Sequence, residues 1–156
     1  MSGPGEETLL EVRDLGKYFG RTVGCEGVTF DLRPGEVLGV VGESGSGKST
    51  LLRCLSAQIA PDFGSVRYRM RDDGMQDMHA LSEARQRMLM RTDWGIVHQN
   101  PRDGLRFGIS AGANVGERLI AVGARHYGNI RGEVTSWLER VEMERSRMDD
   151  LPNTFS

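Results

Sequence analysis

One short segment of the chain combines the residue types that bind phosphate groups. Residues 42–50 read GESGSGKST and fit the pattern G-x-x-x-x-G-K-[ST] of a phosphate-binding loop. Its glycines let the backbone curl, so that successive N–H groups and the positive end of a following helix point at phosphate oxygens. Lys48 is expected to bridge the β- and γ-phosphates, the Ser49 hydroxyl to ligate Mg²⁺, and Thr50 to reach the α-phosphate. The sequence therefore predicts a site for ATP and Mg²⁺ formed by Gly42, Glu43, Ser44, Gly45, Ser46, Gly47, Lys48, Ser49 and Thr50.

Amino-acid usage separately singles out Lys48. Of the 20 cationic residues only Lys17 and Lys48 are lysine, and the others are arginine. A compact ammonium fits among phosphate oxygens where a planar guanidinium does not, which gives a reason for lysine at position 48.

Hydrophobic patterns on both sides of this loop predict the elements that position it. Residues 9–15 and 28–32 alternate apolar and polar side chains, as half-buried strands do, and predict an antiparallel pair. Residues 36–41 (EVLGVV) are nearly all apolar, which is typical of a strand buried in a parallel sheet. Residues 51–59 carry apolar side chains at helical spacing and predict a helix directly after the loop. This order of strand, loop and helix is the context that a phosphate-binding loop requires.

The rest of the chain is predicted to be mostly helical. The predicted elements are strands at 65–70 and 94–98, an exposed turn at 72–77, a helix from Ser82 to about Arg91, a helix capped by Ser110, and a helix from about Asn129. Gln99 follows the predicted strand at 94–98 directly, so its side chain is expected at the end of that strand.

The bulk composition excludes several functions. A net charge of -2 with both signs interspersed gives no basic surface, so we expect neither nucleic acid nor direct lipid binding. The sequence has no signal-peptide pattern and no apolar stretch approaching ~18 residues, so a cytoplasmic location is expected.

Cys25 and Cys54 have no metal-ligand spacing and are expected to be reduced core thiols in unrelated surroundings. The histidines at 79, 98 and 126 also lack ligand-like spacing and are not predicted to bind metal.

Several short motifs together resemble the ATP-binding cassette ATPases. They are GESGSGKST, the aromatic segment KYFG some twenty residues before it, the turn RPGE, and Gln99. The resemblance implies that Phe19, or its neighbour Tyr18, stacks on adenine, and that Gln99 senses the γ-phosphate and its Mg²⁺. Lys48 and Gln99 are then the expected catalytic residues, with Ser49 and Gln99 as the metal ligands. The implied fold is an α/β P-loop NTPase with an N-terminal antiparallel part, a parallel-sheet core and the start of a helical subdomain.

A narrower resemblance concerns the second half of the chain. WGIVHQNPRDGLR, SAGANVGERL, RHYG and LPNTFS are similar to the ATP-binding subunits of bacterial carbon–phosphorus lyase systems, which break down phosphonates. This resemblance implies a partner-facing loop containing His98, Asn100, Pro101, Arg102, Asp103 and Arg106. It also implies two partners, a second copy of the ATPase and the lyase core subunits. The alternative is the ATPase subunit of a dipeptide, oligopeptide or nickel importer, which shares GESGSGKS and a similar helical subdomain.

The resemblance also predicts how the chain divides and which motifs of the family have no counterpart in it. We expect residues 1–98 to form the β part and P-loop core, and residues 99–156 to form the glutamine loop and helical subdomain of a partial domain. In the family, a pair like Phe155-Ser156 opens the signature sequence that touches ATP on the opposite subunit. The general base and switch histidine have no counterpart here, so the 156 residues are expected to be a fragment without turnover. An open reading frame continuing past codon 156 would restore the enzyme, and a true stop would support the truncated alternative.

Overall fold

The computed structural model describes residues 8–155, except for the side chain of Pro101, and divides the chain into two compact units. The first is Met1–Arg87 and the second is Met88–Ser156. Each unit has its own packing, and each is described separately below. Ser156 lies outside the described residues, as do residues 1–7.

The first unit contains a four-stranded sheet in the order β2-β1-β3-β4. Its strands are β1 (Leu10–Phe19), β2 (Thr22–Leu32), β3 (Phe63–Met70) and β4 (Gly74–Asp77), and every pairing is antiparallel. The predicted strands at 9–15, 28–32 and 65–70 are therefore present, although β1 and β2 are longer than their alternating patterns suggested. Val12, Leu15, Val66 and Met78 are fully buried and form the centre of this unit.

Helix α1 (Lys48–Leu55) follows the glycine-rich loop, as predicted, but it ends four residues before Ile59, to which the apolar spacing extended. It buries Leu51, Cys54 and Leu55 and contacts β1 and β2. The chain leaves this helix through Ala57, whose φ of 54° is left-handed, a conformation that costs an L-residue about 1–2 kcal/mol.

The second unit is helical. Helix α2 (Glu83–Thr92) crosses from the first unit into the second, and α3 (Ala111–Ala121) and α4 (Tyr127–Arg140) lie within the second. Short 3₁₀ helices occupy Pro101–Gly104, Arg145–Asp149 and Pro152–Thr154. Val134, Leu138 and Met148 form its core. The Ser110 hydroxyl caps α3 by accepting from the Ala113 N–H, as predicted, whereas α4 begins slightly earlier than predicted and is capped by His126.

Three sequence predictions of local structure are wrong within the described residues. Residues 36–41 and 94–98 run without strand pairing, and Val37 and Val97 are 97% and 98% exposed. A strand needs a hydrogen-bonded neighbour, and in the described part of the chain neither segment has one. The segment at 72–77 is not all turn, because residues 74–77 form strand β4 against β3.

Candidate nucleotide-binding site

The glycine-rich loop has the backbone conformation that its glycines permit. Gly45 and Gly47 adopt φ values of 82° and 91°, which residues with a Cβ rarely take. At position 47 a Cβ would also overlap the carbonyl oxygen of Gly24 in β2. Glycine at 47 therefore lets the loop lie directly against β2 where α1 begins.

Lys48 is oriented by the loop that precedes it. Its Nζ donates to the carbonyl oxygens of Gly42 at 2.8 Å and Glu43 at 2.6 Å, with a longer contact of 3.3 Å to Ser46 Oγ. An ammonium has three N–H donors, so the two short bonds fix the head group and leave the remaining donor with at most a weak internal acceptor. This arrangement fits a phosphate oxygen as the stronger third acceptor.

The N-terminus of α1 is free to attract an anion. No acidic side chain lies in its first turn, so the positive end of the helix dipole is not neutralised locally. Ser49 is exposed on that first turn, where its hydroxyl is available to a bound cation. The residues present therefore fit Mg²⁺-ATP, because a helix N-terminus without a nearby acidic side chain can bind phosphate.

Tyr18 and Phe19 differ in their availability to a nucleotide base. The side-chain hydroxyl of Tyr18 donates to Glu26 Oε1, and the ring of Tyr18 packs against Phe63. The backbone N–H of Tyr18 donates to Asp62 Oδ2 at 2.6 Å. The bond to Glu26 raises the pKa of Tyr18 above its ordinary value. Phe19 is 51% exposed, and its ring lies against Gly24, which also adjoins Gly47. The structure thus leaves the Phe19 ring exposed beside the phosphate-binding loop.

The far end of α1 is held by a residue that the sequence did not single out. His79 Nε2 lies 2.9 Å from the carbonyl oxygen of Cys54 in the last turn of the helix. His79 follows Met78, whose N–H donates to the Val66 carbonyl in β3 at 2.8 Å. No sequence pattern predicted this contact, because a lone histidine after a strand is not part of a periodic repeat.

Cys25 and Cys54 are both buried and free. They interact with each other, whereas the sequence suggested that they lie in unrelated surroundings. Burial, and to a smaller extent interaction with Cys25, raises the pKa of the Cys54 thiol to about 11. A thiol with a raised pKa is rarely a thiolate at neutral pH, so Cys54 is a poor nucleophile and metal ligand.

Gln99, the other predicted site residue, belongs to the second unit. It is exposed and precedes Asn100, whose side chain caps the turn Pro101–Gly104 by accepting from the Arg102 N–H. Ser49 and Gln99, the two predicted Mg²⁺ ligands, thus lie in separate units.

Across residues 8–155, no three His, Cys, Asp or Glu side chains are arranged to hold a metal ion. Within that range there is also no helix both long and apolar enough to cross a membrane.

This loop, helix and sheet define the class of protein. The family model described as ABC transporter matches residues 25–156, and the chain belongs to that family. A dimeric structure of MJ0796, a bacterial ABC transporter cassette, superposes on 95% of this chain with a TM-score of 0.81 at 24% identity. At that identity the likeness establishes the fold alone, and it confirms the ATP-binding cassette architecture expected from the motifs.

Curated relatives narrow the comparison further. The chain is 53% identical over 150 residues, 96% of its length, to the putative phosphonates utilization ATP-binding protein PhnK of Escherichia coli. It is 40% identical over 91 residues, 58% of its length, to the methionine import ATP-binding protein MetN of Clostridium tetani. The chain spans 58% of the PhnK relative, 27% of the MetN relative and 63% of MJ0796.

Proposed function

We propose that this chain forms the ATP-binding part of an ATPase subunit that serves a carbon–phosphorus lyase system in phosphonate breakdown. The observation that carries the proposal is 53% identity to a phosphonate-utilization protein across 96% of the chain. That similarity covers both units, so it includes the phosphate-binding loop and the helical segments after Gln99. The proposal places the protein in the cytoplasm, together with its lyase partners.

In this proposal each site residue has a defined task. Lys48, held by two loop carbonyls, directs its remaining N–H at the β- and γ-phosphate oxygens. The loop N–H groups from Ser44 to Ser49 orient the phosphates, and Phe19 stacks on the adenine. Ser49 and Gln99 would hold Mg²⁺, which supplies charge stabilisation to the transferring phosphoryl group when it is bound.

Two kinds of partner complete the proposed function. A second copy of the subunit faces the first across the nucleotide, a proposal supported by the dimeric state of the MJ0796 cassette structure. In that arrangement the segment beginning at Phe155 and Ser156 touches the ATP held by the other copy. The lyase core subunits then bind the loop that contains Arg102 and Arg106.

Exchange of Lys48 tests the nucleotide site directly. Lys48→Ala should weaken Mg-ATP binding and abolish hydrolysis in the complete gene product, because it removes a charge-assisted contact to the phosphates. Lys48→Arg should also fail, since the planar guanidinium cannot occupy the space between the two carbonyls and a phosphate oxygen. Titration calorimetry and phosphate release measure both variants, with Arg87→Ala, which removes an exposed cation paired with Glu83 in α2, as the control. Wild-type turnover in either Lys48 variant would refute this site.

An importer ATPase is the second candidate. It is favoured by the 40% identity to a methionine import protein, although that similarity covers only 58% of this chain. Purification of the tagged complete gene product from cells grown on a phosphonate distinguishes the two. Co-purification of lyase subunits supports the proposal, whereas recovery of membrane permease subunits without lyase subunits supports the importer.

A further inference from the structure

The side chain of Arg147 connects several parts of the segment that ends at Phe155. Its Nε donates to Asp150 Oδ2 at 3.3 Å, and its Nη2 donates to the carbonyl oxygen of Thr154 at 3.0 Å. The guanidinium carbon lies 3.9 Å from the centre of the Phe155 ring. One cation therefore makes an ion pair, a backbone hydrogen bond and a ring contact within nine residues of chain.

The beginning of the same segment is fixed to the helical core. The Asp150 carbonyl oxygen accepts from the N–H of Ala111, the first residue of α3, at 2.8 Å. Met148 is buried and packs against Gly112 of that helix. Residues 148–150 are thus attached to α3. The Arg147 side chain connects this attached part of the chain to the exposed residue Thr154 and the half-buried residue Phe155.

The geometry of this contact suits arginine better than lysine. A planar guanidinium can stack on an aromatic face while separate nitrogens on its edge donate hydrogen bonds, whereas a lysine ammonium has no planar face and carries all its donors on one nitrogen. The Arg147 side chain is 37% exposed and Asp150 is 43% exposed, so the ion pair contributes little to stability. Its geometry is better suited to fixing the direction of the chain at Phe155 than to stabilising the fold.

We propose that Arg147 is a positioning residue for the nucleotide sandwich formed by two copies of the subunit. By fixing Thr154 and Phe155 it sets the direction in which the chain enters the segment that meets ATP on the opposite copy. This inference rests on the proposed function, because that segment acts only when two copies close on nucleotide. Arg147 itself touches neither ATP nor the reacting atoms.

The test compares turnover with nucleotide affinity in the complete gene product. Arg147→Ala should lower ATP turnover roughly 10- to 100-fold, the scale expected when a group is misplaced by about 1 Å. The Kd of the isolated subunit for Mg-ATP should stay within about twofold, because the phosphate-binding loop is unchanged. ATP-driven dimerisation, measured by sedimentation with a slowly hydrolysed analogue, should weaken in parallel. Arg147→Lys should resemble Arg147→Ala, since it keeps the charge but loses the stacking contact.

Arg145→Ala is the matched control. Arg145 lies in the same 3₁₀ helix, is 73% exposed and pairs with Glu139 rather than with residues 150–155. It should turn over ATP at the wild-type rate. Phe155→Leu keeps the apolar bulk but removes the ring, and combining it with Arg147→Ala should cost less than the sum of the two single effects.

Any of three results would overturn the inference. Full turnover in both Arg147 variants would show that the contact does not position the segment. An equal loss in Arg145→Ala, or additive losses in the double variant, would show a general effect of charge or stability. Failure of the proposed nucleotide site is distinguishable, because Lys48→Ala would then leave Mg-ATP binding intact whatever Arg147 does.

Discussion

Tyr18 and Phe19 are adjacent aromatic residues in β1, but hydrogen bonding gives them different roles. Tyr18 is tied to Glu26 through its hydroxyl and to Asp62 through its N–H, whereas the Phe19 ring is half exposed beside Gly24. A base needs an accessible ring face, so these contacts favour Phe19 for stacking on adenine. The sequence alone could not separate the two, since the hydroxyl partner of Tyr18 lies on the neighbouring strand.

Substitution of each aromatic residue tests this difference. Phe19→Leu should weaken ATP binding by ~1–3 kcal/mol, the usual value of a base–aromatic stack. Tyr18→Phe keeps a ring at position 18 and should leave the affinity unchanged while removing the bond to Glu26. Competition between ATP and pyrophosphate for the site provides a check, because Phe19→Leu should leave pyrophosphate binding unaffected. The assignment is wrong if Tyr18→Phe is the variant that loses ATP affinity.

Asp62 links β1 to the start of β3 and makes stability depend on pH. Its carboxylate accepts from the Tyr18 N–H and from Lys17 Nζ, and these bonds lower its pKa below the ordinary value. A depressed pKa in the folded state gives stability that is complete above the unfolded pKa of ~3.9 and is lost as pH falls through the folded pKa.

Asp62→Asn should therefore lower the unfolding temperature at pH 7, and its difference from wild type should shrink below about pH 4. Unfolding followed by circular dichroism across this range measures the effect. Asp72→Asn, a change at an exposed carboxylate in the turn between β3 and β4, is the control. A difference that stays constant from neutral to acidic pH would contradict the argument.

At the scale of the element, α1 is supported at both ends by other parts of the first unit. Gly47 places its N-terminus against β2, and His79 binds the Cys54 carbonyl at its C-terminus. The helix has only eight residues, and so short a helix is unstable without tertiary contacts. His79 is therefore expected to stabilise the element that carries Lys48.

His79→Ala should lower the free energy of unfolding by about 1 kcal/mol, the net value of a typical hydrogen bond. Glutamine at position 79 should recover part of this, because its side-chain amide can still donate to a carbonyl oxygen. Chemical denaturation measures both variants, with the exposed His98→Ala as the control for loss of an imidazole. Equal stability of wild type and His79→Ala would show that backbone N–H groups, including that of Ala57 at 3.1 Å, already satisfy the Cys54 carbonyl.

Sequence patterns predicted the elements whose partners are nearby in the chain. Helix α1 followed from apolar spacing, and α3 from the Ser110 cap, because both signals are local. The alternation at 28–32 located only the end of β2, since Gly24 and Gly27 interrupt the pattern in a strand that begins at Thr22. The residues of the phosphate-binding loop could be chosen from sequence because their spacing reflects one compact turn. The contact of His79 joins separate segments, and the contacts of Arg147 follow no regular spacing, so neither leaves a periodic trace.

At the scale of the whole molecule, two extended apolar segments are the main departure from prediction. Residues 36–41 and 94–98 have the composition of buried strands, yet Val37, Val41 and Val97 are 97%, 93% and 98% exposed. An apolar composition indicates that a segment is suited to burial, but it does not identify the strands or helices that would cover the segment. In a parallel sheet the neighbouring strands come from distant parts of the chain, so no local pattern could predict their pairing.

A polypeptide consisting of residues 1–156 alone should bind Mg-ATP weakly without hydrolysing it at a useful rate. The carbonyls of Gly42 and Glu43 hold Lys48 at the proposed phosphate site, but the described residues supply no opposing signature segment to stabilise the charge of the transition state. The unpaired segment at 36–41 should also promote association, because an extended apolar segment with free backbone groups can pair with another copy. Phosphate release, thermal unfolding with and without Mg-ATP, and light scattering test these expectations on one preparation. Cooperative unfolding of a monomer, together with turnover equal to that of the complete gene product, would show that residues 1–156 already contain a full catalytic site.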